Sequence, residues 1–471
     1  MTAGLVAGVD SSTQSTKVVV CDAETGEMLR EGRAAHPDAT SVDPQRWWQA
    51  WQEATRNGLL DGVRALSVGG QQHGMVALDA GGRVLRDALL WNDVRSAPQA
   101  AALVDELGGA AAWVEAVGLV PVAAITVAKL RWLADAEPDI AARVCDIVLP
   151  HDWLTGRIVA GGAARPERWT TDRGDASGTG YFSARTGAYR PDLIELALGR
   201  VCGVPDVLGP AEPAGTTVGG IVVGPGTGDN MGAALGLGLR PGDVVVSLGT
   251  SGTVFALTEQ PVPDVQGALQ GFADATGRYL PLMCTLNAAR VLVAAAELLR
   301  VDLAELDRLA LAAAPGADGL TLLPYLDGER TPDLPQATGT LSGLNRSNAT
   351  PENLARAAVE GMLCNLADGV DRLRELGAPV RRVLLVGGGA NSRAVRQIAP
   401  IVFGVDVAVP SPGEYVALGA ARQAAWVFSG AAEPPTWEVR MLAEYPGAGD
   451  EIGAELRDRY RALRLRAHPG S

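Results

Sequence analysis

The sequence predicts an α/β protein of two related domains, and three observations lead to this prediction. Strand-like and helix-like segments alternate along the chain, which is the pattern of α/β proteins. The length of 471 residues exceeds one ordinary domain and fits two. A strand–turn–strand segment, Val6–Val20, is also similar to Val244–Leu257, half a chain further on. We therefore expect two halves built on the same plan.

The first half begins with a β-meander rather than a strand–helix–strand unit. Leu5–Val9 is a short apolar strand, a polar turn runs from Asp10 to Thr16, and Lys17–Cys21 is a second strand. Pro44–Leu60 then carries tryptophans at helical spacing. Ala65–Gly70 is predicted to be a further strand, and it runs directly into a polar segment.

The boundary between the two domains is predicted at the turn-forming stretch Arg240–Asp243, just before the second hairpin. This gives an N-terminal domain of residues 1–242 and a C-terminal domain of residues 243–471. The last predicted helix, Glu451–Arg466, is charged and lies on the surface. The sequence leaves open whether this helix packs back on the first domain.

Composition excludes several classes of partner and site. The net charge of −14 argues against a nucleic-acid or anionic membrane surface. The five cysteines form no CxxC pair, which is typical of a reducing compartment, and no two of the four histidines have zinc-motif spacing. No apolar run approaches the ~18–20 residues of a membrane span, and the N-terminus has no signal-peptide pattern. We expect a cytoplasmic protein with small-molecule ligands.

The two hairpin turns are candidate phosphate sites, because small residues let backbone N–H groups approach an anion. The first turn holds Thr13, and Asp10 at its start could hold Mg²⁺ through water. Lys17 could reach a phosphate from the following strand. Thr250 and Gly252 occupy the second turn. Neither a P-loop pattern nor a dinucleotide fingerprint occurs, and a purely structural turn is the alternative.

A triple glycine follows the buried strand that ends near Val386. Its residues Gly387, Gly388 and Gly389, with Asn391, lie before a helix-compatible segment. Such a place lets a backbone approach adenine, or a phosphate bind at a helix N-terminus. A tight strand-to-helix turn is the simpler alternative.

Two polar segments of the first half are suited to a sugar. Gln72 and His73 follow a strand and offer donors and acceptors to hydroxyl or carbonyl groups. Trp91 and Asn92 add an aromatic wall and a polar group. A structural histidine and a helix start are the alternatives for these segments.

Asp229 and Asn230 stand between a predicted strand and a predicted helix. Asp229 is either the N-cap of that helix or a general base, since a carboxylate beside a sugar hydroxyl can accept its proton. Asn230 would add a donor and an acceptor beside it.

Taken in chain order, these motifs resemble the FGGY family of carbohydrate kinases over nearly the whole sequence. The resemblance implies an actin-like, ribonuclease H-like ATPase fold with an interdomain cleft. The matching segments are Asp10–Lys17, Gln71–Gly74, Trp91–Arg95, Thr126–Leu133, Gly228–Gly232, Ser247–Gly252, Gly328–Pro332, Gly339–Leu344, Asn353–Glu360 and Val386–Asn391. One departure is Ser12, where the family usually has glycine before the threonine.

Within the family, the first-half motifs look most like those of members that phosphorylate D-xylulose to D-xylulose 5-phosphate. That resemblance implies Asp229 as catalytic base, Gln72 and His73 as sugar contacts, and Asp10 as the acid that positions Mg²⁺-ATP. Glycerol is disfavoured, because glycerol kinases carry Arg-Glu at the positions of Gln72-His73.

The resemblance places the sugar on the first domain and ATP across both. The sugar would contact Gln72, His73, Trp91, Asn92 and Asn230. The nucleotide would contact Thr13, Lys17, Thr250, Gly252, Gly387, Gly388, Gly389 and Asn391. The family also suggests a homodimer. Two alternatives stay open, namely a kinase for another ketose or polyol such as ribulose, and a non-catalytic actin-like ATP-binding protein.

Overall fold

Two separate seven-stranded sheets organise the chain, one in each half. The structure is a computed structural model, and it describes residues 4–449 and 451–470. Among the described residues, no helix combines the length and the apolar character needed to cross a membrane.

The elements of the first half end just before residue 240. Its strands are β1 (Leu5–Ser11), β2 (Ser15–Asp22), β3 (Met28–Ala35), β4 (Ser41–Val42), β5 (Val63–Gly70), β6 (Val76–Leu78), β7 (Ala88–Leu89), β8 (Asp146–Val148), β9 (Thr170–Asp172), β10 (Phe182–Ser183), β11 (Ala188–Tyr189), β12 (Asp206–Leu208), β13 (Gly215–Thr216), β14 (Val222–Val223) and β15 (Thr227–Gly228). Its helices are α1 (Gln45–Ala54), α2 (Ala97–Leu107), α3 (Ala110–Val117), α4 (Thr126–Ala136), α5 (Pro138–Ala141), α6 (Pro150–Val159), α7 (Arg173–Ala176), α8 (Pro191–Leu198) and α9 (Asp229–Gly236).

The second half begins with a strand at the predicted boundary. Its strands are β16 (Asp243–Leu248), β17 (Gly252–Ala256), β18 (Gln270–Ala273), β19 (Tyr279–Thr285), β20 (Thr321–Leu323), β21 (Thr340–Ser342), β22 (Arg382–Val386), β23 (Asp406–Pro410) and β24 (Met441–Tyr445). Its helices are α10 (Ala289–Leu299), α11 (Leu303–Ala312), α12 (Pro351–Glu375), α13 (Arg393–Phe403), α14 (Tyr415–Ser429) and α15 (Glu451–Ala467). Short 3₁₀ turns cover Ala317–Gly319 and Gly388–Asn391.

The two sheets have the same topology. In the first, the order is β13-β14-β5-β1-β2-β3, with β15 also paired to β5. In the second, β24-β23-β22-β16-β17-β19 follows the same order of parallel and antiparallel pairs, and β18 extends its edge. The hairpin β1–β2 therefore corresponds to β16–β17, as the internal similarity predicts, and the predicted two-domain α/β architecture is confirmed.

Apolar side chains fill three large cores. One lies on the first sheet under α1 and α6, and another lies among α10–α13 and the second sheet. A third contains side chains of both halves, among them Met75, Met231, Phe255 and Phe272. This shared core fixes the two halves against each other.

Helix α14 belongs to the second half of the sequence but packs on the first sheet, against β1, β5 and α9. Glycine makes this approach possible, because a Cβ at Gly8 would overlap the carbonyl oxygen of Ala417, and a Cβ at Gly419 that of Gly232. The last helix, α15, packs instead on α12 and α13, and its Leu456 and Tyr460 enter the second-half core. The returning helix is thus α14, which the sequence did not indicate.

Candidate active site

Three polar segments meet at one edge of the first sheet. In the register of β5 with its neighbours, Asp10 lies opposite Gly69, and Gly228 lies opposite Gly70. These strands run parallel, so the residues that follow them emerge at the same edge. Asp10, the segment after Gly70 and Asp229 are therefore brought together.

Asp229 is the first residue of α9, and Gly228 takes the N-cap position. The N-cap alternative is therefore wrong. The Oδ1 atom of Asp229 accepts hydrogen bonds from the backbone N–H and the side-chain amide of Asn230, both at 2.8 Å. Burial and the nearby Asp10 carboxylate raise the pKa of Asp229 to about 7. A carboxyl group with such a pKa can accept a proton near neutral pH.

Gln72 and Asn230 join the two sugar segments. The side-chain amide of Asn230 donates to Gln72 Oε1 at 3.1 Å, as well as to Asp229. The side chain of Gln72 also packs directly on Gly228. A Cβ atom at position 228 would overlap the Gln72 side chain. Gln72, Asn230 and Asp229 thus form one hydrogen-bonded row.

His73 is a neutral, fixed acceptor. Its backbone has a positive φ of 65°, and its Nδ1 lies 2.8 Å from the carbonyl oxygen of Gly178. Since a carbonyl only accepts, Nδ1 carries the proton and Nε2 has the lone pair. Burial, together with Lys129 and Arg330, lowers the pKa of His73 to about 3. Its ring also packs 5.4 Å from the ring of Phe272, a residue of the second half.

Trp91 connects the predicted sugar segment to the predicted phosphate turn. Its indole N–H donates to Thr13 Oγ1 at 2.8 Å, and both side chains are accessible. The Oδ1 atom of Asn92 next to it is buried and makes no hydrogen bond in the described structure. Asn92 therefore has an acceptor available at this edge.

Asp10 is buried and its carboxylate is already hydrogen-bonded by the Ser12 hydroxyl. Burial raises the pKa of Asp10, although Ser12 and Lys17 oppose that shift. Lys17 lies 3.6 Å from Asp10 Oδ2 and 2.5 Å from Glu414 Oε2. The Lys17 ammonium group is therefore shared between two carboxylates and does not stand free toward a phosphate. Glu414, just before α14, was not predicted from the sequence.

We expect Glu414→Gln to strengthen ATP binding by up to about fivefold. The substitution removes a half-exposed ion pair, and such pairs contribute about 0.2–1 kcal/mol. Lys17 would then have only Asp10, 3.6 Å away, as a competing partner when it meets a phosphate. Calorimetric titration with ATP at low salt measures the change, and Glu444→Gln on the distant strand β24 is the control. Unchanged or weaker ATP binding in Glu414→Gln would show that Lys17 does not face the phosphates.

The second half presents an open pocket beside its own hairpin turn. The exposed Thr250 lines it together with Arg290, Glu297, Leu326 and Asp327, and its volume is about 430 Å³. Its wall is therefore partly apolar and partly charged, which is suited to a nucleoside.

The predicted glycines differ in accessibility. Gly387 and Gly388 are exposed, whereas Gly389 is buried against Leu248 and Gly252 is buried against Leu366. Gly387 has a φ of 86°, and a Cβ there would meet the carbonyl of Leu248. These contacts explain the need for glycine at positions 252, 387 and 389, whereas a Cβ at Gly388 would meet no atom. Gly387 and Gly388 are the two of these glycines that face solvent.

Asn391 is exposed, and the neighbouring Ser392 caps α13 through a hydrogen bond from Val395 N–H. The triple glycine therefore leads into a helix N-terminus, as predicted.

Sequence reasoning did not assign the buried Lys129. Its ammonium group donates to the carbonyl oxygens of Ala123 and Ala124, and burial lowers its pKa to about 7. The signal was available, because Lys129 is one of two lysines in the chain. Its charge helps to lower the pKa of His73, and its side chain is fully buried.

Sequence reasoning also missed a buried cluster behind the sugar segments. His151, Asp152 and Asp175 each offer a ligand-type atom within 4.8 Å of the others, and all three are fully buried. Asp172 lies beside them and accepts a hydrogen bond from Thr227 at 2.8 Å. His151 and Asp152 are adjacent, but Asp172 and Asp175 follow some distance later in the chain, so the sequence shows no metal-ligand or catalytic spacing.

Comparison with known proteins gives matches over both halves of the chain. The profile of the FGGY family of carbohydrate kinases, N-terminal domain, matches residues 5–236, and that of the C-terminal domain matches residues 244–428. The xylulose kinase of Streptomyces coelicolor is 46% identical over 90% of this chain and 88% of its own. That of Streptomyces rubiginosus is 45% identical over 98% of this chain and 95% of its own.

Solved structures give the same result. The xylulose kinase from Bifidobacterium adolescentis has a TM-score of 0.92 and 49% identity, covering 98% of this chain and all of that one. Plasmodium falciparum glycerol kinase with ADP has a TM-score of 0.85 at 18% identity, which shows the shared fold alone. The predicted actin-like fold is thereby confirmed. Both domain profiles of the family match, one on each half of the sequence. The chain therefore belongs to the FGGY family of carbohydrate kinases, and it is an ATP-dependent sugar kinase.

Proposed function

We propose that this kinase transfers the γ-phosphoryl group of ATP to the C5 hydroxyl of D-xylulose, with Asp229 as general base. One observation carries the proposal: a carboxyl group with a pKa of about 7 stands in a row with Gln72 and Asn230, beside the free acceptor of His73. The similarity to xylulose kinases supports the choice of sugar.

The first half would hold the sugar and the second half the nucleoside, with residues 1–242 and 243–471 as the two domains and α14 added to the first. Gln72, His73, Asn92 and Asn230 provide donors and acceptors for hydroxyl and carbonyl oxygens, and Trp91 closes one side. The pocket beside Thr250 and the exposed backbone at Gly387 and Gly388 would receive the nucleoside. The hairpin turns at Thr13 and Thr250 would then face the phosphates.

Asp229 would accept the proton of the hydroxyl as its oxygen attacks phosphorus. The hydrogen bonds from Asn230 hold Oδ1, so Oδ2 is left to face the hydroxyl. Positioning and charge stabilisation account for most of the acceleration in phosphoryl transfer. Exclusion of water by the two halves would keep water from competing with the sugar.

Asp10 is suited to Mg²⁺. Its carboxylate supplies the hard oxygen donors that Mg²⁺ prefers, and its charge is close enough to Asp229 to raise that residue's pKa. Mg²⁺, when bound with ATP, supplies positive charge to the β- and γ-phosphates. Asp10 would hold that charge at the turn, through water.

A panel of acceptors tests the proposed function. In a coupled assay of ADP release, D-xylulose should give the highest kcat/KM, ahead of D-ribulose and glycerol, with little turnover in the absence of sugar. Higher kcat/KM with D-ribulose would overturn the choice of substrate. Nucleotide binding with no acceptor-dependent turnover would instead indicate an ATP-binding protein without kinase activity.

A further inference from the structure

A buried ionic cluster lies directly behind the row of sugar-segment residues. His151 Nδ1 is 2.6 Å from Asp175 Oδ2, and its Nε2 is 3.3 Å from Asp152 Oδ1. All three side chains are inaccessible to solvent. His151 Nδ1 donates to Asp175, whereas Nε2 and Asp152 Oδ1 lie close together without an aligned hydrogen bond in the described structure. A carboxylate beside each ring nitrogen favours the doubly protonated imidazolium form. Burial opposes that charge, but the two carboxylates hold the pKa of His151 above its usual range.

The cluster is packed against both sugar segments. A Cβ at Gly70, just before the Gln71–Gly74 segment, would collide with His151, and a Cβ at Gly226, just before the Asp229 turn, would do the same. Asp172 accepts hydrogen bonds from Gly174 N–H and Thr227 Oγ1. The His151 ring and its carboxylates therefore pack against both the segment that carries Gln72 and the turn that carries Asp229.

A direct connection runs from the cluster to Gln72. The second oxygen of Asp175, Oδ1, and the amide nitrogen of Gln72 are both buried, and neither makes a well-aligned hydrogen bond in the described structure. The Gln72 side chain nevertheless interacts with the Asp175 carboxylate, and this interaction lowers the pKa of Asp175 against the effect of burial. A carboxylate oxygen can only accept, so it selects the nitrogen end of the amide.

We propose that Asp175, fixed by the His151 imidazolium, is a positioning residue that sets the orientation of the Gln72 amide and, through Asn230, that of Asp229. With the nitrogen of Gln72 turned to Asp175, its oxygen faces Asn230 and accepts at 3.1 Å. Asn230 in turn donates to Asp229 Oδ1 at 2.8 Å. At each step the carboxylate or amide oxygen accepts and the nitrogen donates. The chain of hydrogen bonds therefore has one orientation, which runs from His151 to the proposed base. This inference rests on the proposed function of the site.

A double-mutant cycle tests this inference. Asp175→Asn should lower kcat/KM for the sugar by about 10–100-fold, since small misplacements of reacting groups have effects of this size, while KM for ATP changes by less than about twofold. In a Gln72→Ala background, the same substitution should lower kcat/KM by less than about threefold, because the residue through which it acts is gone. Equal losses in both backgrounds would overturn the proposal.

Asp264→Asn is the matched control for loss of a buried carboxylate. Asp264 is fully buried and binds Gln266 N–H, Leu269 N–H and Arg372 in the second half. The control should lower the melting temperature without the selective loss in sugar kcat/KM. If Asp175→Asn lowers only the melting temperature, as the control does, Asp175 is structural and the inference fails.

A second pair of variants covers the case in which Asp175→Asn does not fold. His151→Lys keeps a cation between the two carboxylates, whereas His151→Gln removes it. Sugar kcat/KM should be higher in His151→Lys than in His151→Gln, by about tenfold. Equal activity of the two variants would contradict a role for the charge.

The double-mutant cycle can fail without the proposed function failing, and the reverse also holds. The cycle is measured with whichever acceptor of the panel the native enzyme uses best, so a preference for another sugar leaves it readable. Retained turnover in an Asp229 variant would remove the proposed base. Additivity between Asp175 and Gln72 would remove the positioning role and would leave the proposed base untouched.

Discussion

Replacing Asp229 by alanine is expected to lower sugar-dependent ADP formation by about 10²–10⁴-fold, which is the usual effect of losing a general base. ATP binding should be nearly unchanged, because Asp229 lies with the sugar segments rather than beside the pocket at Thr250. Steady-state turnover and calorimetric titration with ATP measure the two quantities. Turnover above about a tenth of the native value would show that Asp229 is not the base.

The pH dependence gives an independent check of the same residue. A base must be ionised to accept a proton, and the pKa of Asp229 is raised to about 7 by burial and by Asp10. The sugar kcat/KM of the native enzyme should therefore fall as the pH decreases below about 7. Asp229→Asn keeps the shape of the side chain and is the matched control, in which this acid limb should disappear along with most of the activity.

Replacing Gly419 by alanine is expected to destabilise the protein by about 1–3 kcal/mol, which is typical of overpacking. An alanine at a helical glycine usually stabilises by about 0.5–1 kcal/mol. Here the added Cβ would overlap the carbonyl oxygen of Gly232 on α9, and that backbone has little freedom to move. Since α9 begins at Asp229, a displaced α9 should also lower turnover.

Thermal and denaturant unfolding measure this prediction. Gly413→Ala is the control, because Gly413 precedes the same helix and a Cβ there meets no atom closer than 3.6 Å. It should change the free energy of unfolding by less than about 0.5 kcal/mol. A Gly419→Ala variant as stable as the native protein would mean that α14 and α9 are not in contact as described.

The two related halves of the fold could be predicted because the sequence patterns that indicate them lie within short segments. The hairpin at Thr13 and its counterpart at Thr250 each lie within a short segment, and the similarity between them indicated two related sheets. The return of α14 to the first sheet was not predictable. Its contacts join residues such as Gly419 and Gly232, whose spacing in sequence carries no pattern.

The same distinction applies to the site. Gln72, His73 and Asp229 follow strands of one sheet, so motif and topology both indicated that they meet. The partners that set their chemistry come from elsewhere, as with Gly178 beside His73 and Asp175 behind Gln72. The ion pair of Lys17 with Glu414, 397 positions away, could not be predicted from the sequence either. Such long-range pairs become visible only once the chain is folded.

The most direct test of the central claim is to identify the product formed from ATP and D-xylulose. Phosphorus NMR should show ADP together with one phosphate monoester whose signal couples to the protons of C5. Asp229→Ala should form this ester far more slowly under the same conditions. Inorganic phosphate in place of the ester, or an ester at another hydroxyl, would contradict the proposed reaction.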